Sequence, residues 1–359
     1  MKTLIFGEQD SLPLVLRSLL KLRHGQIHFR GEWNGTIGEN SDLDATIHIH
    51  NKALIDLIFK NGVLGAAEGY IRGYWSSEHL VEVIQILARN RHVLDKINQN
   101  FISQASQMLA RNRHVPDKFN QNVISQASQL VLKAWYKTRK NSLSGSRKNI
   151  AEHYDLSNDF FKLFLDSSMM YSSAVYQHKD MTLEQASDYK KELICQKLQL
   201  KPMDHLVEIG SGWGGFAIYA AQNYGCKVTT ITISQAQYDE ATKRIADAGL
   251  SHRVDVQLID YRLLEGKFDK LVSIEMIEAV GEQYLSTYFN KCRSLLKPNG
   301  LGLIQAITIE DARYKKALNT VDYIKRYIFP GSFIPCNSLM INTAAAQGLK
   351  LKSILKILV

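Results

Sequence analysis

One segment of this 359-residue chain constrains its fold more than any other: residues 207–216, which read VEIGSGWGGF. A short apolar run ends beside the acidic residue Glu208 and then turns through Gly210, Gly212 and Gly215 into an apolar helical pattern. This arrangement is typical of a parallel α/β sheet that presents a nucleotide-like cofactor at the carboxyl end of its first strand. Closely spaced glycines also cost conformational entropy, which argues against a turn with no ligand.

The glycine spacing alone does not identify the cofactor. It satisfies the dinucleotide pattern G-x-G-x-x-G, which also requires an acidic residue about 20 positions further along the chain. The second predicted strand, at 227–234, contains no acidic residue, and the next acid is Asp239. S-adenosylmethionine has no pyrophosphate and carries an ammonium group, for which Glu208 is a suitable partner. We therefore favour S-adenosylmethionine; a dinucleotide and a purely structural turn remain the alternatives.

The composition sets limits on location and partners. The chain is 45% hydrophobic and 22% charged, contains no run of 18 apolar residues and begins without an apolar stretch typical of a signal peptide. Its four cysteines lack metal-ligand spacing, so we expect reduced thiols and no metal site. The net charge of +9 favours an anionic partner, and no nucleic-acid-binding motif is present. We expect a cytoplasmic protein that does not bind nucleic acid.

Three regions are predicted. Residues 1–86 mix strands (25–30 and 45–50) with helices (53–60 and 78–88), as in a small α+β domain. His48 and His50 share a strand face without a third ligand. Residues 87–148 form a predicted helical linker, in which segments 87–108 and 109–130 agree at 18 of 22 positions and so indicate a duplication. A basic helix at 130–140 and a Ser/Gly-rich loop at 141–146 follow.

Residues 149–359 alternate strand-like and helix-like segments, which predicts a doubly wound, Rossmann-like parallel sheet. Five strands are expected, at 205–209, 227–233, 254–259, 268–275 and 301–309, and a sixth at 349–355. Helices are expected at 214–223, 236–248 and 282–296. Ligands of such sheets bind outside the carboxyl ends of the strands. We therefore expect the site where Gly210, Ser234, Asp260 and Glu278 lie.

Polar side chains follow the second and third predicted strands. Thr232, Ser234 and Gln237 carry hydroxyl and amide groups suited to ribose hydroxyls. The carboxylate of Asp260 is suited to accept a hydrogen bond from an adenine amine, and Tyr261 is suited to pack on the ring. Each residue alone is equally well explained as a capping or loop residue, but their coincidence at successive strand ends favours a shared site.

Two carboxylates, Glu275 and Glu278, follow the fourth predicted strand within the apolar run SIEMIEAVG. A buried acid is costly unless it has a partner, so this position indicates a functional role. We expect Glu278 to face the reaction centre; a solvent-exposed loop acid is the alternative. Aromatic residues cluster at 149–165 and 170–176, where they suit a lid over a cationic cofactor and an apolar chain. A packing helix would explain them as well.

Six motifs in order carry a family resemblance: HYDLSNDFF, MYSSAVY, VEIGSGWGGFA, TITISQAQ, SIEMIEAVG and YIFPGS. Over roughly 150–345 the chain resembles cyclopropane-fatty-acyl-phospholipid synthases and the mycolic acid cyclopropane synthases. Residues 30–90 are similar to the family's N-terminal lipid-binding domain. The resemblance implies methyl transfer from S-adenosylmethionine to a cis double bond of a phospholipid acyl chain. It also implies that the alkene attacks the methyl group and that a carbocation develops. A bound bicarbonate would then take a proton from the transferred methyl group, and loss of that proton closes the cyclopropane ring.

The resemblance also implies site residues. The reaction site would comprise Glu278, Ser173, Gln305 and Ile307, which line the bicarbonate pocket. Cofactor contacts are implied for Tyr171, Ser172, Glu208, Gly210, Gly212, Trp213, Gly214, Thr232, Ile233, Ser234, Gln237, Tyr261 and Arg262. Three positions depart from the family: Ser173 stands where cysteine is frequent, and Ala279 and Gln305 where histidine is frequent. Glutamine donates a hydrogen bond but does not take up a proton as histidine does.

The family's pattern continues beyond residue 359, with a tyrosine and a cysteine of its active site and the last strand of its sheet. We therefore expect weak or absent activity and reduced stability for this chain as it stands. The expected partner is a phospholipid surface at the inner face of the membrane, and a homodimer is an open alternative. Two other functions remain: a methyltransferase for another lipid or small molecule, and a non-catalytic protein that retains only cofactor or lipid binding.

Overall fold

The computed structural model describes residues 22–91, 141–143, 145–146 and 157–355 of the chain. The chain divides into two compact units, Met1–Ala134 and Trp135–Val359. Most of the tandem repeat, the predicted basic helix at 130–140 and the segment 149–156 lie outside the described residues. Asn141 and Ser146 fall within the second unit, and the domain start predicted at residue 149 stays a prediction.

The first unit is built around a four-stranded sheet in the order β2-β1-β3-β4, in which β1 and β3 are parallel and the other pairs antiparallel. Its strands are β1 (Gly25–Gly31), β2 (Gly35–Glu39), β3 (Asp44–Ile49) and β4 (Trp75–Ser76). Its helices are α1 (Ala53–Asn61), α2 (Val63–Ile71) and α3 (Leu80–Arg89). Alternate residues of β1, Ile27 and Phe29, are buried against Val83 and Ile86 of α3. This packing gives the unit its own hydrophobic core.

The second unit contains a five-stranded parallel sheet in the order β7-β6-β5-β8-β9. Its strands are β5 (His205–Ile209), β6 (Lys227–Thr232), β7 (Val254–Leu258), β8 (Phe268–Ile274) and β9 (Leu296–Gln305). Its helices are α4 (Asn158–Lys162), α5 (Leu183–Leu198), α6 (Gly215–Tyr224), α7 (Gln235–Asp247), α8 (Leu285–Leu295), α9 (Asp311–Leu318) and α10 (Asn337–Ala346). The predicted Rossmann-like fold class is confirmed.

Both faces of this sheet are covered, as its apolar strands require. Along β5, Leu206 packs into the core that contains α5 and α6, whereas Val207 packs into the core that contains α8. Chain order reverses on the two sides of β5, since β6 lies on one side and β8 on the other. This switch point opens the crevice in which ligands of doubly wound sheets bind.

The sixth predicted strand is wrong. Residues 349–355 form no strand, because no neighbouring strand supplies ladder hydrogen bonds in the described part of the chain, and Leu351 and Ile354 are more than half exposed. The fifth strand ends at Gln305 rather than at Ile309. Ile309 itself makes only an isolated bridge to Cys336. The helix expected at 282–296 begins with a 3₁₀ turn at Glu282–Tyr284. Elements β2, β4, α2, α5, α9 and α10 were not predicted.

Candidate active site

The glycine loop lies at the carboxyl end of β5. Gly210 has a φ of +97°, and the backbone amides of Gly210 and Ser211 donate to the Ile231 carbonyl at 3.0 and 2.8 Å. A Cβ added to Gly212 would meet no atom within 4 Å, so the loop borders open space. A Cβ added to Gly215 would collide with the carbonyl oxygen of Ser168. The loop therefore needs glycine at position 215 for close packing. At Gly212 its backbone faces open space.

Trp213 turns its side chain into the protein. The indole is 1% exposed, its Nε1 donates to Asn158 Oδ1 at 2.8 Å, and its ring lies 4.8 Å from that of Phe161. Arg244, which the sequence analysis missed, donates to the carbonyl oxygens of Trp213 and Ser168 at 2.9 and 3.0 Å. These contacts tie the glycine loop to the segment that precedes Met170. The predicted cofactor contact of Trp213 stays a prediction.

Glu208 also lies in the interior, at 2% exposed within β5. Its carboxyl group accepts a hydrogen bond from Thr230 Oγ1 at 2.5 Å. Burial raises the pKa of Glu208 to about 8, although the Thr230 hydrogen bond acts in the opposite direction. Burial therefore favours the neutral form of this carboxyl group. Its predicted cofactor contact remains untested.

Polar groups at the end of β6 form a buried network. Thr232 Oγ1 donates to Gln237 Oε1 at 2.8 Å and accepts from the Ser234 amide at 3.1 Å. Ser234 caps α7, where its Oγ accepts from the Gln237 amide at 3.3 Å. Ile233, between them, is half-buried. The structure brings these four predicted residues together, and their contacts to ribose stay predictions.

Asp260 and Arg262 form a fork-shaped ion pair after β7. Arg262 donates from Nε to Asp260 Oδ1 at 2.8 Å and from its terminal nitrogen to Oδ2 at 2.6 Å. The same guanidinium donates to the Asn141 carbonyl at 2.9 Å and to Ser146 Oγ at 3.1 Å. Both side chains are therefore engaged in fixing the segment at 141–146. Tyr261 packs edge-on against Tyr288 at 5.7 Å, and burial raises the pKa of its phenol.

Glu275, and not Glu278, is the carboxylate that meets Ser173 and Gln305. Glu275 Oε1 accepts from the Ser173 amide at 3.1 Å, from Ser173 Oγ at 3.0 Å and from Gln305 Nε2 at 2.8 Å. Only the proximity of β8 to β9 and to the 171–173 segment reveals this partnership, which is why the sequence did not favour Glu275. The expectation that Glu278 faces the reaction centre stays a prediction.

Glu278 lies beside this group with a different partner. Its Oε1 accepts from the Ile307 amide at 2.6 Å, so the structure brings together two of the residues that the resemblance places around the bicarbonate pocket. Its Oε2 is buried and has no hydrogen-bond partner among the described residues. Burial, aided by the charge of Glu275 and opposed by backbone hydrogen bonds, raises the pKa of Glu278 to about 7.

Lys190 of α5 is a site residue that the sequence analysis missed. It is 1% exposed, and its Nζ donates to Ser172 Oγ at 2.6 Å and to the Ser172 carbonyl at 3.0 Å. Burial lowers its pKa to about 8, while the charge of Glu275 opposes that shift. A sequence signal existed, because Lys190 lies one helical turn from the buried residues Ala186 and Ile194.

An aromatic cluster adjoins these polar groups. The ring of Tyr171 lies 5.2 Å from Phe161, 6.3 Å from Phe164 and 6.4 Å from Phe329. Phe160 contacts Phe164 at 5.5 Å, and these two rings are 43% and 47% exposed. Tyr171 directly precedes Ser172 and Ser173, so the cluster forms an open apolar surface next to Glu275. Because Tyr171 packs on the rings and Ser173 binds Glu275, this short segment brings the apolar surface and the carboxylate together.

Comparison with known proteins identifies the family. The family model for mycolic acid cyclopropane synthetase matches residues 141–358, which is more than half of the chain. The chain belongs to this family. Its members include cyclopropane-fatty-acyl-phospholipid synthases and related S-adenosylmethionine-dependent methyltransferases that act on lipids.

Individual relatives agree. The tuberculostearic acid methyltransferase of Mycobacterium tuberculosis is 32% identical over 325 residues, which cover 85% of this chain and 68% of the relative. The cyclopropane-fatty-acyl-phospholipid synthase of Escherichia coli K12 is 34% identical over 299 residues, covering 83% and 69%. The solved structure of the cyclopropane synthase MmaA2 from Mycobacterium tuberculosis matches 58% of this chain and 76% of its own, with a TM-score of 0.54 and 29% identity. Mycolic acid cyclopropane synthase CmaA1, complexed with SAH and CTAB, covers 56% and 74%, with a TM-score of 0.51 and 30% identity.

The residues at this edge fit S-adenosylmethionine, the family's methyl donor. The open backbone at Gly212 leaves room for a ligand at the switch point, and the Thr232–Gln237 network supplies hydroxyl and amide groups beside it. Bicarbonate fits less well. Ser173 and Gln305 already donate to Glu275, and the Ile307 amide donates to Glu278. An added anion would compete with two carboxylates of the chain for the same donors. Among the described residues, no cluster of acidic, histidine or cysteine side chains suits a metal ion.

Proposed function

We propose that this chain transfers a methyl group from S-adenosylmethionine to a cis double bond of an unsaturated phospholipid acyl chain, and that loss of a proton then closes a cyclopropane ring. One observation carries the proposal: the glycine loop, a fixed carboxylate and an exposed aromatic surface meet at one edge of the sheet. The family relationship supports the class of reaction, and the geometry supports an apolar, electron-rich substrate.

The aromatic cluster around Tyr171 suits both reacting partners. An acyl chain has no hydrogen-bonding groups near its double bond, so only apolar contacts hold it in place. The rings of Phe160 and Phe164 offer such contacts at the surface. Electron-rich faces such as that of Tyr171 also attract a sulfonium or a developing carbocation. We therefore assign the acyl chain to the surface formed by Phe160, Phe164, Tyr171 and Phe329, against which the buried ring of Phe161 packs.

The polar residues organise charge beside that cluster. The buried ammonium of Lys190 holds Ser172 in place through its carbonyl and hydroxyl oxygens. Ser173, next in the chain, fixes the carboxylate of Glu275. Groups arranged in advance stabilise charge as it develops without paying for reorganisation. S-adenosylmethionine supplies the electrophilic methyl group when bound; the chain positions the alkene, excludes water and holds negative charge close to the cation.

We further propose that the first unit binds the phospholipid surface from which the substrate comes. Large apolar side chains are more than half exposed on α2 and α3: Val63, Ile71, Val81 and Ile84. The net charge of +9, which belongs to the chain as a whole, favours an anionic surface as the partner of the protein. Among the described helices, none combines the length and apolar character needed to cross a bilayer. We propose that the association is peripheral.

Mass spectrometry tests the proposed reaction. The chain is incubated with S-adenosylmethionine and vesicles of a monounsaturated phospholipid, at a protein concentration comparable to that of the lipid so that one turnover is detectable. We expect a gain of one CH2 unit per modified acyl chain with loss of the double bond. Saturated phospholipid and the Gly210→Val variant are the controls, and both should give no product. Absence of product from the unsaturated lipid, although calorimetry shows bound S-adenosylmethionine, would refute the lipid assignment.

A further inference from the structure

Three donors of Ser173 and Gln305 converge on one oxygen atom of the chain itself. The Ser173 amide, the Ser173 hydroxyl and the Gln305 amide group lie 2.8–3.1 Å from Glu275 Oε1. Oε2 of the same carboxylate has no hydrogen-bond partner in the parts of the chain that the structure describes. One oxygen is thus anchored, and the other is available to accept a proton.

The backbone also holds Glu275 in a specific conformation. Glu275 has a φ of +48°, which is uncommon for a residue with a side chain. Its amide donates to the Gln305 carbonyl at 2.9 Å, which joins the end of β8 to the end of β9. Such a conformation persists only where the surroundings determine it, and it is frequent at functional sites. The carboxylate is therefore set in place by two strands and by the segment at 171–173.

We propose that Glu275 is the base of the reaction and occupies the place that bicarbonate would take. This inference rests on the proposed function. As the methyl carbon bonds to one alkene carbon, its bond to sulfur breaks and the other alkene carbon becomes cationic. Glu275 then takes a proton from the transferred methyl group, and the electron pair of that C–H bond closes the third bond of the ring. The products are the cyclopropane, S-adenosylhomocysteine and a protonated Glu275.

The charged neighbours of Glu275 suit this role. Lys190 holds the adjoining serine and is close enough for its charge to interact with Glu275. Glu278 lies on the other side, and its own proton limits the negative charge that accumulates at the site. Tyr171 places an apolar ring next to the carboxylate. Glu275 therefore lies close to a buried cation and to the aromatic cluster to which the acyl chain is assigned.

The test compares the full chain with three variants. Glu275→Gln keeps the shape of the side chain and removes its charge. Glu275→Gly removes the side chain, frees the donors of Ser173 and Gln305, and relieves the positive φ. Glu265→Gln, at an exposed acid outside the site, is the matched control. Each protein is assayed for the cyclopropane product in buffer stripped of carbon dioxide and then with added bicarbonate. Binding of ¹³C-bicarbonate is measured separately by NMR line broadening, without lipid or S-adenosylmethionine.

We expect the unmodified chain and Glu265→Gln to work equally well with and without bicarbonate and to cause no line broadening. Glu275→Gln should lose activity by about 10²-fold or more, the usual effect of removing a general base. Glu275→Gly should bind ¹³C-bicarbonate and recover part of its activity when bicarbonate is added. Dependence of the unmodified chain on bicarbonate, or full activity of a folded Glu275→Gln variant, would overturn the proposal. If no protein makes any lipid product, the proposed function fails, and the NMR measurement alone decides whether Glu275 occupies the anion site.

Discussion

At the scale of single residues, burial and partners set the charge of each acid at the sheet edge. Glu208 has one hydroxyl donor and is deeply buried, so its pKa rises to about 8. Glu278 has one backbone donor to Oε1 and a buried Oε2 without a partner in the described residues, and its pKa rises to about 7. Glu275, in contrast, receives three hydrogen bonds on one oxygen. Of the three, Glu275 is the one whose carboxyl group is held by the most hydrogen bonds, and these fix its position.

The raised pKa of Glu278 makes stability depend on pH. Because the folded protein binds this proton more tightly than the unfolded chain does, ionisation destabilises the fold. The stability contribution is lost as pH rises from about 4.5 to about 7 and stays lost above that. We expect Glu278→Gln to stabilise the protein relative to the unmodified chain at about pH 8, by up to about 3 kcal/mol, and much less at about pH 5. Urea unfolding at the two pH values measures this difference. An effect of equal size at both would contradict the assigned pKa.

At the scale of elements, the glycine loop joins β5, α6 and the segment before Met170. Gly215 begins α6 directly against the Ser168 carbonyl, and Arg244 of α7 closes the same contact from the other side. The first residue of α6 thus packs directly against the backbone of Ser168. A side chain at Gly215 would push the start of α6 away from the 167–170 segment and move the loop that borders the cofactor space.

Gly215→Ala tests this packing. We expect a loss of about 1–3 kcal/mol of stability, as is usual for overpacking, together with weaker binding of S-adenosylmethionine. Gly302→Ala is the matched control, because a Cβ there meets its nearest atom at an ordinary 3.5 Å. It should change stability by about 0.5 kcal/mol or less. Thermal unfolding and calorimetry with S-adenosylmethionine give both quantities. Equal behaviour of the two variants would show that the close approach at Ser168 has no structural role.

The regular elements of the second unit could be predicted because their signals are local. Short apolar runs between turns predict that β5 begins at His205 and that β7 begins at Val254, as the structure shows. The role of Glu275 could not be predicted in the same way, because its partners Ser173 and Gln305 are distant in sequence and meet only in the folded sheet. The strand expected at 349–355 failed for a related reason: its apolar residues match a strand, but strand formation depends on a neighbour.

At the scale of the whole molecule, each unit has its own core and its own exposed apolar surface. In the first unit, Val81 and Ile84 of α3 project to solvent, whereas Val83 and Ile86 fill the core. In the second, Phe160 and Phe164 are exposed beside the carboxylate site. The proposed phospholipid layer would be a partner for both surfaces, because its headgroups offer an anionic face and its acyl chains an apolar one.

Vesicle binding tests this view. We expect the chain to sediment with vesicles containing anionic phospholipid and to bind less as salt increases, because screening weakens attraction to the surface. The double variant Val81→Ser, Ile84→Ser should bind less without losing stability, since both side chains are already exposed. The matched control is Leu351→Ser, an exposed apolar residue in the other unit. Equal binding to neutral and anionic vesicles at all salt concentrations would contradict the electrostatic part of the proposal.

The most direct test of the whole account uses S-adenosylmethionine whose methyl group carries three deuterium atoms, with a monounsaturated phospholipid as acceptor. If the chain transfers the methyl group and Glu275 then removes a proton from it, the product is a cyclopropane that retains two of the three deuterium atoms, which mass spectrometry resolves. An acyl chain that carries all three would contradict proton removal from the transferred methyl group, and an unlabelled acyl chain would contradict the transfer itself.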